Sequence, residues 1–269
     1  MDPSDKPESL SKHLQEFDRR NAEIADWRRI QPRAVPGLNS MEDYKTRVAV
    51  GRGLAHNYLA DQGCMNPKPE MMLEAHRRMF AVATTDAGQF RKPGQLAMYG
   101  GIQGAEPQRV GIELSRLHNE MFELTSQSRT PEDCCAAIAF YHARMIGVHP
   151  FQDGNGRVGR MIMESQANTM GMKFDMSQIS RDKPSYIKAL NRAMETNDIA
   201  PLTTIVAAAT GTKLEHKGEL FAASRIKSRP MISLDDIRPL NEEREMVKTG
   251  MPLPLPSVLS RQMEQGPSL

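Results

Sequence analysis

The chain has 269 residues, 39% of them apolar, 25% charged and 5% aromatic, the make-up of an ordinary soluble protein with one main domain and a possible appendage. Lys+Arg 35 against Asp+Glu 33 leaves a net charge of +2, which argues against nonspecific coating of nucleic acid or anionic membrane. Any basic site must be local.

No apolar run approaches the roughly 18 residues that span a bilayer, and the polar start Met1-Asp2-Pro3-Ser4-Asp5-Lys6 has no signal-peptide core. The expectation is no membrane span and no classical secretory route. Cys64, Cys134 and Cys135 are too few for a disulfide framework and lack metal-knuckle spacing, so they read as reduced thiols in a cytosolic compartment. The 19 methionines read as core gap-fillers.

Residues 1–40 form a polar, partly helical arm, with an amphipathic stretch from Leu10 to Ile24 and Trp27 beside Arg28 and Arg29. Met41 to Leu59 reads as a helix weakened by Gly51 and Gly53. Met71, Met72, Ala75, Met79 and Phe80 recur at helical spacing over Pro67 to Val82. From Thr84 to Pro107 the residues Gly88, Pro93, Gly94, Gly100, Gly101 and Gly104 break the pattern, predicting a loop or short hairpin. Helical periodicity returns over Pro107 to Thr125. Thr130-Pro131-Glu132-Asp133 then supplies a cap, a first-turn proline and acidic residues for a helix to about Val148. That helix is apolar around most of its circumference and is expected to be central. Further helices are expected near 156–170, stopped by Gly171, and near 184–195 and 199–210. Residues 212–269 contain six prolines and read as an extended or disordered tail: a secretion signal, a partner-binding segment or a linker.

One stretch stands apart: His149-Pro150-Phe151-Gln152-Asp153-Gly154-Asn155-Gly156-Arg157-Val158-Gly159-Arg160. A strongly apolar helix leads into a proline-bounded loop, and a glycine-rich turn opens onto the next helix, the geometry of a phosphate cradle. Gly154 and Gly156 allow positive φ and close approach of backbone N–H groups to anionic oxygens at the helix N-terminus. Arg157 and Arg160, three apart, share roughly one face and fit several phosphates of one ligand. Asp153 adds one carboxylate, enough for a Mg²⁺ that completes its shell with phosphates and water. His149 is the side chain here that trades a proton near neutral pH, and is the natural general base. Phe151 is expected to anchor the loop in the core; Asn155 either donates to a phosphate or braces the turn.

These residues match the pattern His-x-Phe-x-(Asp/Glu)-Gly-Asn-Gly-Arg-x-x-Arg at every constrained position, and the chain resembles the Fic family. The resemblance runs from about Pro67 to Gly211. Ala87-Gly88-Gln89-Phe90-Arg91 looks like the family's strand leading to its flap, and Tyr186 with Ala189-Leu190 looks like its nucleotide-side helix. It implies an all-α Fic fold with a short β-hairpin flap, a catalytic domain over 41–211 with its core at 67–211, and transfer of AMP from ATP to a Ser, Thr or Tyr hydroxyl of another protein. It further implies His149 as base and Asp153 as Mg²⁺ ligand. Gly154, Asn155, Gly156, Arg157 and Arg160 would hold the ATP phosphates, and Ser185 and Tyr186 would lie near adenine. A flap at Gln95, Leu96, Gly101 and Ile102 would pair with an extended target segment.

Gly156 is retained where the kinase-like Doc branch has lysine. No glutamate is followed by Gly or Asn, so the family's self-inhibitory (Ser/Thr)-x-x-x-Glu-(Gly/Asn) helix is absent. Either a small antitoxin-like partner supplies a glutamate to Arg160, or the enzyme is unrestrained, as a translocated effector would be. The expected location is accordingly the bacterial cytoplasm, or a host cell reached by a non-classical route. The alternatives are a Fic-fold transferase using another donor (UMP or phosphocholine) and a silent nucleotide-binding interaction module. A nucleic-acid partner is not expected, since aromatics are few and not interleaved with basic residues.

Overall fold

The computed structural model describes residues 6–95, 98–99 and 102–215; the expected tail beyond 215, and Leu96 and Gly101 of the expected flap, lie outside them. Among the described residues there are nine α-helices: α1 Lys6–Ile30, α2 Met41–Gln62, α3 Pro69–Phe80, α4 Val110–Gln127, α5 Pro131–Val148, α6 Asn155–Thr169, α7 Met176–Arg181, α8 Lys183–Thr196 and α9 Ala200–Thr210. The all-α expectation holds. Two short extended pieces, β1 Met98–Tyr99 and β2 Ile102–Gln103, pair antiparallel, with Met98 opposite Gln103 and Tyr99 opposite Ile102. No described helix is long and apolar enough to cross a membrane.

α5 is the axis of the bundle. Thr130 Oγ1 accepts from the Asp133 N–H while the Asp133 carboxylate accepts from the Thr130 N–H, a reciprocal cap at 3.1 Å in both directions. Residues 135–143 are buried without interruption, because α4, α6, α8 and α9 all pack around the helix. An amphipathic helix keeps a wet face; over these residues α5 has none, and its composition there is apolar on most of the circumference. Met72, Met79, Met121, Met145, Met161 and Met163 are all buried, in line with methionine as gap-filler. Cys64 and Cys135 are buried too. Burial pushes the Cys64 thiol up to about 12, so it has no nucleophilic thiolate at neutral pH.

Three departures from the sequence reading have physical causes. α1 is one continuous helix, and the segment after it is tied down: Ile30 and Leu38 are buried, the Val35 N–H donates to the Ala83 carbonyl at 3.1 Å, and the Thr85 N–H to the Arg33 carbonyl at 2.8 Å. Gly51, which weakens α2 by propensity, lets α2 touch α3, for a Cβ there would sit 2.1 Å from the Met79 carbonyl oxygen. α7 was not expected; its six residues bury only Ile179, and its start is fixed by Asp175, whose carboxylate accepts from the Ser177 N–H at 2.9 Å.

Candidate active site

α5 stops at His149, which takes the left-handed conformation (φ 52°) and donates its N–H to the Met145 carbonyl at 3.1 Å. A non-glycine residue in that region carries strain that its surroundings must hold. The holder is Arg91. It is 4% exposed, and its guanidinium donates from Nε to the His149 carbonyl at 2.6 Å, from Nη1 to the Gln95 carbonyl at 2.8 Å, and from Nη2 to the carbonyls of Val148 at 3.3 Å and Ala105. Its own N–H donates to the Pro150 carbonyl at 2.9 Å. One side chain thus joins the end of α5 to the chain on both sides of the β1–β2 segment. On the other side of His149 the backbone of Gly104 is in contact, since a Cβ there would lie 2.8 Å from His149 Cβ.

The loop after His149 is braced from within and below. Asn155 accepts from the Phe151 N–H at 2.9 Å through Oδ1 and donates to the Phe151 carbonyl at 2.7 Å through Nδ2, so the turn-bracing role is the one realised. Phe151 is fully buried, as expected. His76 of α3 stacks on it, ring centroids 4.0 Å apart. The Gly88 N–H donates to His76 Nδ1 at 2.9 Å, which leaves Nε2 as the donor to the Asp153 carbonyl at 3.1 Å. Burial drops the His76 pKa to about 4, keeping that tautomer neutral at pH 7. Gly154 (φ 85°) caps α6, and a Cβ on it would meet Phe80 Cε2 at 2.4 Å. The first turn of α6 is therefore pressed onto α3.

Asp153 sits at the centre of a cationic cluster. Oδ2 accepts from Arg157 Nη2 at 2.9 Å and from the Tyr44 hydroxyl at 3.1 Å, and Oδ1 from the Gly154 N–H at 2.8 Å. Arg29 Nη1 lies 3.5 Å from Oδ1 and Arg33 Nη2 3.9 Å from Oδ2. Burial alone would raise the Asp153 pKa, but Arg157 and Arg29 outweigh it and hold the carboxyl below its ordinary value. The Arg157 guanidinium lies over the Phe80 ring, 4.7 Å from its centroid. Arg160 folds back along α6 until Nη1 is 3.2 Å from where a Gly156 Cβ would be. Burial lowers the His149 pKa and Arg91 adds to that, against Ile146 and Asp153, which push it up.

A cavity of about 750 Å³ opens beside this cluster, lined by Asp153, Arg157 and Arg160 from one side and by α1 and α2, including Arg29, Tyr44 and Arg52, from the other. Of the expected residues the structure brings Asp153, Arg157 and Arg160 to this cavity, while His149, Gly154, Asn155 and Gly156 stand on the adjoining loop and helix start and are not among the residues lining it. Ser185 and Tyr186 are not among the residues lining it. Ser185 is exposed, its N–H donating to the Asp182 cap at 3.1 Å, and Tyr186 is buried with its hydroxyl 2.6 Å from His142 Nε2. Tyr186 is thereby part of the core behind α5, not of the cavity. Gln95, expected in the flap, reaches the motif loop through its Nε2, which donates to Gln152 Oε1 at 2.8 Å.

The sequence reading missed Tyr44, His76, Arg29, Arg33 and Arg91 as parts of the site. His76 carried a signal: a histidine amid Met72, Ala75, Met79 and Phe80 on an apolar helix face needs polar partners. The others depend on tertiary contacts more than 50 residues apart in sequence.

The loop-to-helix turn, the histidine at its entry and the two arginines on α6 are the features on which the resemblance to the Fic family rests. Residues 66–167 match the Fic/DOC family. It is 30% identical over 148 residues to protein adenylyltransferase Fic of Drosophila virilis, an alignment covering 54% of this chain and 28% of the fly protein. Among solved structures it is similar to the N-terminal Fic domain of Bep8, a VirB-translocated effector of Bartonella sp. 1-1C (TM-score 0.57, 13% identity, 66% of this chain and 89% of that one). It is also similar to the N-terminal Fic domain of a VirB-translocated Bep effector from Bartonella quintana with bound ADP (TM-score 0.55, 21% identity, 65% of this chain and 87% of that one). The structural likenesses show a shared fold.

Proposed function

We propose that this protein transfers AMP from ATP to a Ser, Thr or Tyr hydroxyl of a target protein. The observation that carries the reading is the single loop on which His149, the N-terminus of α6, Arg157 and Arg160 converge, with Arg91 and Asn155 holding its two ends. The adenylyltransferase relative and the ADP-bound Fic domain support it.

In this mechanism the ATP phosphates lie against the N-terminal amides of α6, with Arg157 and Arg160 as charge partners. His149, kept neutral by burial, takes the proton from the target hydroxyl as its oxygen attacks the α-phosphorus. A new P–O bond forms to the target, the bond between the α-phosphorus and the bridging oxygen breaks, and pyrophosphate leaves. The α6 amides face the charge that develops on the phosphorus oxygens. The β1–β2 segment, whose flanks are tied by Arg91 to the end of α5, is the flap on which an extended target segment would pair by strand addition.

The residues fit Mg²⁺ only as a companion of the phosphates. Among the described residues no group of three or more His, Cys, Asp or Glu is placed to hold a metal, and the oxygens of Asp153 already accept protein hydrogen bonds. A single carboxylate suits a cation that takes its other ligands from phosphate and water; Asp153 would hold it, and it would offset the charge of the leaving pyrophosphate. VirB-translocated Fic domains share this fold; action inside a host cell is one setting for the proposed transfer, and a partner's glutamate on Arg160 one restraint.

The test is incubation with Mg²⁺ and ATP labelled on the α-phosphate, alone and with bacterial and eukaryotic lysates, for wild type and His149→Ala. Label on protein that requires His149 supports the reading; ATP binding without transfer rejects it, and trials of a UMP or phosphocholine donor then decide whether another cargo is carried.

A further inference from the structure

The cavity has a second wall that the transfer step does not use. Arg157 is neutralised by Asp153, Arg29 by Asp26 and Asp153, and Lys45 by Glu23. Two lining arginines differ: among the described residues, Arg52 on α2 and Arg160 on α6 have neither an ion pair nor a hydrogen bond. They lie on the two sides of one concave space, so the cavity's uncompensated positive charge falls on two guanidiniums from different helices. Like charges facing one concave space repel, and an anion seated there would offset both.

The two ends of the cavity fit different parts of such an anion. Arg160 folds back to the first turn of α6, where Gly156 leaves room for it, and there it joins the helix N-terminus and Arg157. Arg52 is exposed and comes from α2. Gly53 beside it has nothing within 4 Å of its Cβ position, so the wall is open at that point. One turn further along α2, His56 Nε2 lies 3.4 Å from Glu164 Oε1, which fixes the α2 wall against α6. At about 750 Å³ the space is within the roughly 300–1,000 Å³ of small-molecule sites, ample for a chain of phosphates.

We propose that Arg52 is a phosphate-binding residue of this cavity and that with Arg160 it holds the terminal phosphate of a nucleoside triphosphate, making the site selective for triphosphate over diphosphate. The proposal rests on the nucleotide reading above and adds a residue and a selectivity to it. Arg52 is exposed and its side chain has no polar partner among the described residues, so its removal is a clean test.

The experiment is calorimetric titration of full-length protein carrying His149→Ala, which blocks turnover, with ATP, ADP and AMP in the presence of Mg²⁺, with and without Arg52→Ala or Arg52→Lys. The expected result is that Arg52→Ala weakens ATP about tenfold while ADP and AMP are unchanged, and that Arg52→Lys falls in between. Equal weakening of ATP and ADP, or an unchanged ATP-to-ADP ratio, overturns the assignment of Arg52 and leaves the adenylyl-transfer reading standing. If the parent protein binds none of the three nucleotides, both readings fall.

Discussion

Arg91 donates from Nε to the main-chain carbonyl of His149 across 2.6 Å, so the candidate base is positioned through its backbone by a buried cation that has no carboxylate partner among its hydrogen bonds. Burial pulls the Arg91 pKa down from its ordinary value, yet a guanidinium stays charged throughout the accessible pH range. Its role is geometric: it gathers carbonyls from the end of α5, from Gln95 and from Ala105.

Removing that hub exposes the cost. Arg91→Ala strands several buried carbonyls and should destabilise the protein by about 3 kcal/mol or more, measured by urea unfolding. Arg91→Lys cannot reproduce the fork and should recover only part of the loss. At temperatures where Arg91→Lys remains folded, transfer should fall more than ATP binding does, because the residue holds His149 and the flanks of β1–β2 and is not among the residues lining the cavity. Equal losses in both would count against the positioning role.

Gly154 is constrained twice, by φ of 85° and by the Phe80 ring 2.4 Å from its Cβ position. Gly154→Ala should cost about 2–4 kcal/mol and weaken nucleotide binding by moving the first turn of α6. Pairing it with Phe80→Ala relieves the clash but not the backbone strain, so the double-mutant cycle should show favourable coupling. Strict additivity would show that the clash is not the cause.

The pH dependence has a definite sign. His149 titrates below the ordinary histidine value of 6.5, so the acid limb of kcat/KM should lie below pH 6.5, with the base active at neutral pH. Stability follows the same direction through His76, whose folded pKa of about 4 is depressed below its unfolded value. The unfolded chain binds the extra proton first, so the stability due to neutral His76 is complete above pH 6.5 and drains as pH falls towards 4, by about 3 kcal/mol. Urea midpoints between pH 7.5 and 4 measure this, and His76→Asn should flatten the slope.

Asp153 offsets three arginines. Asp153→Asn leaves Arg29, Arg33 and Arg157 facing one another and should lower stability by about 1–3 kcal/mol without ligand. Pyrophosphate should restore more thermal stability to this variant than to wild type, since the anion replaces the lost charge. A melting shift no larger than that of wild type would contradict the electrostatic account of the cluster.

Much of this architecture was readable beforehand because it is local. The capping sequence at Thr130, the unbroken apolar surface of α5 and the glycine-opened start of α6 each declare themselves within one turn of chain. Gly51 misled because propensity counts its entropy and ignores the Met79 backbone it must clear. Tyr186, which the family resemblance set near adenine, has its hydroxyl taken by the fully buried His142. The motif loop was legible as a cradle, but its support was not: His76, Arg91 and the arm's Arg29 and Arg33 reach it only through the packing of α1, α3 and α5, which pattern alone does not specify.

In the proposed transfer His149 directs a hydroxyl to the α-phosphorus of ATP. The most direct measurement runs wild type and His149→Ala in parallel with ATP labelled either on the α- or on the γ-phosphate, and follows protein-bound label. The expected result is label from the α-phosphate only, equimolar pyrophosphate release, and loss of both in His149→Ala. Label arriving from the γ-phosphate, or α-label that persists without His149, would contradict it.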